Sequence, residues 1–249
     1  MSNFKFIINE EYKNFQEFLL NIKSYFQKDG NTIHKARNEI KVINYENKDF
    51  VVKSFKIPHL LNRVIYTFFR DSKAKKSYEY SLKIEKFTPK AVGFIEFYNN
   101  FFIKDSYFIS EKFEYDFTIR EALLDENFPN KDDVFKTFAN FTYELHENGI
   151  YHLDYSPGNI LIKKDNDKFI FKIVDINRMK FLNMDLDLRM KNFSKLWAKD
   201  EDLEFIAKEY AKIYKRNEDE LISKAIMFSR KHKAVKNFKK RLKGIEVVD

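Results

Sequence analysis

A short loop in the middle of the chain carries side chains suited to holding a metal-bound nucleotide. In the segment HLDYSPGNIL, residues 152–161, Asp154 and Asn159 are five positions apart, and the intervening Pro-Gly pair predicts a turn. Asp175 ends the later apolar run FKIVD, which is predicted to be a strand beside the strand ILIKK. Because Mg²⁺ prefers oxygen ligands and completes its shell with water and phosphates, these three residues predict a magnesium-nucleotide site.

The chain before this loop is predicted to form a β-rich lobe. Apolar residues at three-to-four spacing predict an amphipathic helix over residues 10–28. Alternating patterns predict strands in four segments, 32–45, 50–55, 91–100 and 106–114. The stretch 59–87 has a helical pattern. Strands and one long helix therefore fill a first lobe, residues 1–113.

The second lobe, residues 114–249, is predicted to be mostly helical. In residues 131–149 four apolar side chains form one helical stripe: Val134, Phe138, Phe141 and Leu145. Gly149 suits the position just after this helix. From about residue 184 onward no strand pattern occurs, and Trp197 with its apolar neighbours is predicted to be a core contact.

Composition limits the functions that fit. The 249 residues are 44% hydrophobic and contain no cysteine, which excludes disulfides and thiolate zinc sites. No window approaches the roughly 20 apolar residues of a membrane span, so a cytoplasmic protein is expected. The net charge of +8 fits an anionic partner, but no RNA-binding signature accompanies it, so nucleic acid is not expected. The scattered histidines argue against a zinc site: His34, His59, His146 and His232.

The loop resembles the catalytic core of the protein-kinase-like superfamily, in which H-x-D-x-x-x-x-N precedes an Asp-containing metal motif. Here these motifs are residues 152–159 and Asp175-Ile176-Asn177. Upstream, Lys53 in VVKSF matches the family lysine that contacts the nucleotide phosphates, and Glu79 in SYEYSL matches the helix glutamate that orients this lysine. The resemblance implies an α+β, bilobal fold with a small β-rich N-lobe and a larger helical C-lobe.

The resemblance also implies a role for each matched residue, because phosphoryl transfer depends mainly on positioning and charge neutralisation. Asp154 would accept or orient the proton of the attacking hydroxyl group. Asn159 and Asp175 would bind Mg²⁺. Lys53 would bring positive charge to the ATP phosphates, and Glu79 would hold Lys53 through an ion pair.

Four further residues belong to the implied site or its support. The resemblance places Glu111 and Phe113, next to the lobe boundary near 111–117, among the nucleotide-binding residues. Glu85 lies on the same predicted helix as the matched glutamate and is the alternative partner of the lysine. His152 is predicted to be structural, packing under the metal-binding aspartate.

Departures from the protein-kinase pattern point to a small-molecule acceptor. No G-x-G-x-x-G joins the first two strands; Gly30-Asn31-Thr32 is the nearest flexible stretch, with Lys35 or Arg37 as alternative phosphate contacts. Leu153 stands where many protein kinases have Arg, and Ser156 stands where serine/threonine kinases have Lys. No A-P-E-like segment follows the metal motif, so no peptide-docking platform is expected. The S-P-G-N loop resembles aminoglycoside phosphotransferases and bacterial lipopolysaccharide-core kinases.

Within that branch, VDINRM at residues 174–179 and the stretch 51–80 resemble bacterial lipopolysaccharide kinases that act on the inner-core sugars Kdo or heptose. The resemblance implies ATP- and Mg²⁺-dependent transfer of the γ-phosphate to a sugar hydroxyl of an anionic glycolipid. A soluble, aminoglycoside-like phosphotransferase and a non-catalytic kinase-like binding protein remain as alternatives.

A glycolipid acceptor is embedded in a membrane, so the enzyme would need a basic, partly apolar approach surface at the inner face of the bacterial inner membrane. Residues 59–76 and residues 231–244 are the two candidate segments. In the second segment three apolar residues form a helical stripe among lysines: Val235, Phe238 and Leu242. The alternative is that this helix docks the stripe onto the second lobe.

Overall fold

The structure is a computed structural model and describes residues 3–35, 38–55, 71–166 and 168–246. The chain divides into two compact units, Met1–Glu114 and Tyr115–Asp249. Each unit has its own β-structure and its own buried apolar residues.

Unit 1 is built on a six-stranded antiparallel sheet with the strand order β1-β5-β6-β4-β3-β2. Its strands are β1 (Phe4–Ile8), β2 (Asn31–Lys35), β3 (Glu39–Tyr45), β4 (Lys48–Ser54), β5 (Ala91–Asn99) and β6 (Phe102–Glu111). The predicted strand segments are confirmed. The sequence does not predict β1. This edge strand is only five residues long, so its alternation is weak, and its partner β5 is distant in the sequence.

A 3₁₀ turn at Glu10–Phe15 and two short helices, α1 (Gln16–Leu20) and α2 (Ile22–Lys28), pack on this sheet. The core beneath them is rich in aromatic rings. Phe18 of α1 stacks on Phe50 of β4 with the ring centroids 5.2 Å apart. Such offset aromatic pairs stabilise a core beyond the effect of the buried area alone.

The predicted continuous helix over residues 10–28 is wrong, because the backbone leaves helical geometry twice. Tyr12 has φ −117° and ψ 18°, and Asn21 has φ −96° and ψ 12°. The predicted apolar positions are all buried: Tyr12, Phe15, Phe18, Leu19, Ile22 and Phe26. The breaks allow each short segment to tilt separately and to bring its rings onto the sheet.

Helix α3 (Lys73–Lys83) packs on the other side of the sheet and begins at the N-cap Ser72, whose hydroxyl accepts a hydrogen bond from a first-turn backbone N–H. A 3₁₀ turn, Glu85–Phe87, follows it. The small core under α3 consists of Phe55, Ala74, Tyr78, Ala91 and Phe94. Lys53 lies on the same side of β4 as Phe55, because side chains alternate between the two faces of a strand.

Unit 2 combines short strands with helices. Its strands are β7 (Phe117–Thr118), β8 (Ile150–His152), β9 (Ile160–Asp165), β10 (Lys168–Ile173) and β11 (Met179–Phe181). Its helices are α4 (Ile119–Leu124), α5 (Lys131–Glu147), α6 (Leu186–Phe193), α7 (Asp200–Tyr214) and α8 (Glu218–Arg241). The predicted strand pair is confirmed as β9 and β10, and the predicted helical C-terminal part is confirmed as α6 to α8. The sequence does not predict β7, β8 and β11, which are only two or three residues long.

Helix α5 is the central helix of the unit 2 core. Val134, Phe138 and Leu145 are buried as predicted, while Phe141 is half-buried. The helix ends before Gly149, whose φ of +66° suits glycine, and a Cβ there would lie only 2.8 Å from the carbonyl oxygen of Leu182. This tight turn lets the chain reverse directly into β8 and the loop that carries Asp154.

Candidate active site

His152, the last residue of β8, organises the loop that carries Asp154. The backbone N–H of Asp154 donates to His152 Nδ1 at 3.0 Å, so the proton of the neutral ring lies on Nε2. His152 Nε2 donates in turn to the carbonyl oxygen of Val174 at 3.0 Å. The ring is buried and therefore ties the loop to the residue that precedes Asp175. The structural role that the sequence predicts for His152 is confirmed by these contacts.

Asn159 is held against the same loop. Its Nδ2 group donates to the carbonyl oxygen of Asp154 at 2.9 Å. Its own carbonyl oxygen accepts the backbone N–H of Val174 at 3.0 Å. Asp154, Asn159 and the start of the Asp175 turn are therefore linked by backbone and side-chain hydrogen bonds within unit 2.

Asp175 follows β10 in an unusual backbone conformation. Its φ is +57°, in the left-handed region that non-glycine residues rarely occupy. Asn177 Nδ2 donates to Asp175 Oδ1 at 2.5 Å and fixes the carboxylate. Strained backbone of this kind is found preferentially at functional sites, where the surrounding structure must hold it in place.

The donor set around the loop fits a magnesium ion bound together with a nucleotide. Asn159 donates from its amide nitrogen to the carbonyl oxygen of Asp154, so its amide oxygen is the atom that would serve as a ligand. Together with the Asp175 carboxylate this gives two protein oxygens, and Mg²⁺ commonly binds one or two carboxylate or amide oxygens together with water and phosphate. Within the described ranges, no cluster of three His, Cys, Asp or Glu side chains forms a different metal site.

A buried network of side chains from α5, α6 and α7 is hydrogen-bonded to the loop at His152. Asn192 of α6 donates from Nδ2 to the carbonyl oxygen of His152 at 2.9 Å. Its Oδ1 is 3.2 Å from His146 Nε2, and His146 Nδ1 is 2.9 Å from the hydroxyl of Tyr210. Arg189 also donates to the Tyr210 hydroxyl at 3.1 Å. The sequence does not predict this role of Asn192, because a polar residue in an amphipathic helix gives no signal that it is buried.

Burial has the largest effect on the pKa of His146. It lowers the pKa of His146 from 6.5 to about 3, and the nearby charge of Arg189 acts in the same direction. His146 is therefore neutral at physiological pH. With its Nε2 proton donated to Asn192 and its Nδ1 accepting from Tyr210, the ring joins three helices through one fixed tautomer.

A basic cluster lies next to the loop of residues 152–159 in unit 2; its members are Arg178, Lys191, Lys195, His232 and Lys236. Lys195 Nζ is 3.5 Å from His232 Nδ1. Burial lowers the pKa of Lys195, the neighbouring charges of Lys236, Lys191 and Arg178 lower it further, and the charge of Asp154 raises it. Lys195 is thus within electrostatic reach of Asp154, and the backbone N–H of Leu153 donates to the carbonyl oxygen of Arg178 at 3.1 Å. The sequence does not predict this cluster, because its members come from three separate segments.

The predicted core position of Trp197 is wrong. Its side chain is 43% exposed, while the adjacent Leu196 is buried. The physical reason is its left-handed backbone, φ +57°, which turns the indole away from the core that its neighbours enter. The indole meets His232 edge-on at 6.0 Å, and Lys240 Nζ lies 5.5 Å from its ring centre. Trp197 therefore borders the basic cluster.

Lys53 and Glu79 both belong to unit 1. Lys53 is buried on β4, opposite Ile40 of β3 and Phe108 of β6, with its Nζ 5.4 Å from the Phe55 ring centre. Glu79 is exposed on α3, and its ion pair is with Lys75 at 3.6 Å. The structure therefore does not bring Glu79 into an ion pair with Lys53.

Glu111 and Phe113 lie at the end of unit 1. Burial alone would raise the pKa of Glu111, but hydrogen bonds from Lys48 and Tyr12 outweigh it and lower that pKa. Lys48 also forms an ion pair with Glu111. Phe113 is half-buried in the segment after β6. The Glu111 side chain is thus engaged within unit 1, and its backbone N–H donates to the carbonyl oxygen of Lys90 at 2.9 Å.

Some of the other residues that the sequence analysis singles out lie outside the residues that the structure describes. Arg37, His59 and residues 59–70 of the first approach segment lie outside the described residues. Gly30-Asn31-Thr32 lies where α2 passes into the exposed strand β2, which ends at Lys35. Among the helices that the structure describes, none is long and apolar enough to cross a membrane.

Comparison with known proteins identifies the fold but no family. No model of a known protein family matches the sequence, and no curated protein matches it. Among solved structures, "WaaP in complex with acyl carrier protein" matches with a TM-score of 0.64 at 13% sequence identity, covering 92% of this chain and 98% of that chain. At this identity the likeness establishes the fold alone.

The predicted fold class is confirmed. An antiparallel, β-rich unit 1 and a helical unit 2, together with this likeness, give the chain an α+β, bilobal, protein-kinase-like fold. A fold of this kind carries no activity by itself, so the function has to be argued from the site.

Proposed function

We propose that this chain is a kinase that transfers the γ-phosphate of ATP to a hydroxyl group of a sugar, with Kdo or heptose of the lipopolysaccharide inner core as the acceptor. The observation that carries the proposal is the linkage of Asp154, Asn159 and the residue before Asp175: His152 bonds Asp154 to Val174, and Asn159 bonds the same two residues. The likeness to WaaP supports it at the level of the fold. The proposed location is the cytoplasm, at the inner face of the bacterial inner membrane.

Asp154 acts on the acceptor in this mechanism. Its carboxylate takes the proton of the sugar hydroxyl while the hydroxyl oxygen attacks the γ-phosphorus. The bond from the γ-phosphorus to the bridging oxygen breaks, and the products are the phosphorylated sugar and ADP. The hydrogen bond from the Asp154 backbone N–H to His152 fixes the backbone that carries this carboxylate.

Asn159 and Asp175 would hold Mg²⁺, which when bound neutralises charge on the phosphates. Lys53 would add a second positive charge to the phosphates. Its burial on a central strand limits the rotamers that the long side chain can adopt, so less conformational entropy is lost when it binds. Glu79 remains the proposed partner that orients Lys53, which requires that it leave Lys75. Glu111, the last residue of β6, and Phe113, just after this strand, remain the proposed nucleotide contacts.

The basic cluster supports an anionic acceptor. Lys195 is partly buried beside Asp154 and shares its surroundings with other cations, so an anionic group of the acceptor would relieve their mutual repulsion. Trp197 offers an exposed ring on which the apolar face of a sugar can pack. Acidic sugars such as Kdo fit both features.

The same cluster weighs against the first alternative, a soluble phosphotransferase for aminoglycosides. Aminoglycosides carry several positive charges, and like charges placed close together disfavour binding. The second alternative, a non-catalytic binding protein, is weakened because the sequence keeps Lys53, Asp154, Asn159 and Asp175. The structural neighbour was solved with an acyl carrier protein, so we propose such a carrier as a second partner, to be tested by co-elution.

A transfer assay tests the proposal. The full chain is incubated with Mg²⁺, γ-labelled ATP and one of three acceptors: delipidated core oligosaccharide, an aminoglycoside or a peptide mixture. We expect label on the oligosaccharide only, and a loss of about 10²- to 10⁴-fold in rate for Asp154→Asn at unchanged ATP affinity. Label only on the peptide or the aminoglycoside would overturn the acceptor class, and equal rates for both proteins would overturn the role of Asp154.

A further inference from the structure

The distal half of α8 presents an apolar stripe to solvent. The stripe consists of Val235, Phe238 and Leu242, which are 48%, 62% and 71% exposed. These exposures exclude the alternative that the helix docks the stripe onto unit 2. Three large apolar side chains at three- and four-residue spacing on one side of a helix are more than the isolated exposed apolar residue that any surface carries.

The stripe points away from the side of the helix that contacts the rest of unit 2. Lys233 donates to the carbonyl oxygen of Ala198 at 2.6 Å, and Asn237 is buried. Five residues separate Lys233 from Phe238 and Asn237 from Leu242, which at 3.6 residues per turn is about 140° around the helix. The attached side therefore fixes the helix, while the stripe stays on its convex outer surface.

The charge of this segment has one sign. Between residues 230 and 243 the sequence contains basic residues and no acidic residue: Arg230, Lys231, Lys233, Lys236, Lys239, Lys240, Arg241 and Lys243. Arg230 is paired with Asp200 and Lys233 is bonded to the carbonyl oxygen of Ala198, but Lys231, Lys239 and Lys243 are exposed. At 3.6 residues per turn, Lys239 and Lys243 lie along one side of the stripe, and Lys231 lies on the face of the stripe, about one turn before Val235. An apolar stripe bordered by exposed lysines is the pattern of a helix that lies in the headgroup region of an anionic bilayer.

The positive charge of residues 230–243 also distinguishes between the partners that could cover the stripe. A second copy of the chain would bring an equally positive helix onto this surface, and like charges would repel. A convex stripe of three side chains offers no groove for a protein partner, whereas a bilayer adapts its surface to the helix. Anionic phospholipid is complementary to both the lysines and the stripe.

We propose that residues 230–243 bind peripherally to anionic phospholipid, with Val235, Phe238 and Leu242 inserted between headgroups and Lys231, Lys239 and Lys243 facing lipid phosphates. This inference is independent of the proposed kinase activity. A chain without catalytic activity would bind lipid in the same way.

Vesicle sedimentation with the full chain tests this inference. We expect the chain to partition at least tenfold more strongly onto phosphatidylcholine vesicles that contain phosphatidylglycerol than onto pure phosphatidylcholine, and to be released by high salt. Removing charge in Lys239→Gln or Lys243→Gln should weaken partitioning about fivefold per lysine. Equal partitioning onto both kinds of vesicle would overturn the proposal.

A stripe variant separates insertion from simple charge attraction. The double variant Phe238→Ser with Leu242→Ser should lose at least tenfold in partitioning, whereas Leu124→Ser, at a site in α4 that is 75% exposed, should bind like wild type. A stripe variant that binds like wild type would overturn insertion. Self-association without lipid that disappears in the stripe variant would assign the stripe to a second copy and would also overturn the proposal.

Discussion

Replacing Asn192 by alanine tests whether the buried network positions the catalytic loop. Asn192 donates to the carbonyl oxygen of His152 at 2.9 Å and bonds His146 at 3.2 Å. Asn192→Ala removes both hydrogen bonds. Two buried groups, the carbonyl oxygen of His152 and Nε2 of His146, then lose this partner. Each group left unsatisfied costs about 1–3 kcal/mol, so we expect the free energy of unfolding of unit 2 to fall by about 2–6 kcal/mol. Because His152 holds Asp154, kcat should fall about tenfold to a hundredfold, with the KM for ATP nearly unchanged.

The matched control is Tyr210→Phe. It removes the hydroxyl that bonds His146 and Arg189 but leaves Asn192 bonded to His152. We expect a loss of about 1–3 kcal/mol in the free energy of unfolding and a kcat close to wild type.

Two measurements compare these variants at a temperature where both are folded. Urea unfolding followed by the fluorescence of Trp197, the single tryptophan, reports the stability of unit 2. Steady-state kinetics report kcat and KM. A wild-type kcat in Asn192→Ala, or an equal loss of kcat in Tyr210→Phe, would refute the reasoning that Asn192 positions the loop.

Three further predictions concern single residues. Burial lowers the pKa of His146 to about 3. Below pH 6.5 the unfolded chain therefore binds a proton that the folded chain does not. The free energy of unfolding should fall by about 1.4 kcal/mol per pH unit from about pH 6.5 toward pH 3. Urea unfolding of His146→Gln should show a pH slope smaller by about one proton, and equal slopes would contradict this. Lys195→Gln should raise the KM for an anionic acceptor about tenfold at unchanged KM for ATP, and an unchanged acceptor KM would rule out Lys195 as an acceptor contact. Glu79→Gln should lower kcat/KM for ATP about tenfold while Glu85→Gln leaves it unchanged, and the reverse result would assign the orienting role to Glu85.

Sequence reasoning predicts well the features that depend on local pattern. The strands on both sides of Lys53 follow from alternation, and the helix before Gly149 follows from its apolar stripe. The loop from His152 to Asn159 is specified by residue types at fixed spacing, and its hydrogen bonds join Asp154 to both His152 and Asn159.

The features that the sequence does not predict depend on tertiary contacts. Tyr12 and Asn21 interrupt an otherwise helical pattern because aromatic packing on the sheet overrides the local preference. The sequence predicts that Trp197 is a core residue, but its left-handed backbone turns the side chain outward. Asn192 gives no signal of burial in its own helix, and the basic cluster exists only after three segments come together.

The structure of the chain bound to Mg²⁺ and a non-hydrolysable ATP analogue would test the central claim most directly. We expect Lys53 Nζ to contact a phosphate oxygen, Asn159 and Asp175 to coordinate Mg²⁺, and Asp154 to face the γ-phosphate. A nucleotide bound away from Asp154, or Mg²⁺ coordinated by other residues, would contradict the account.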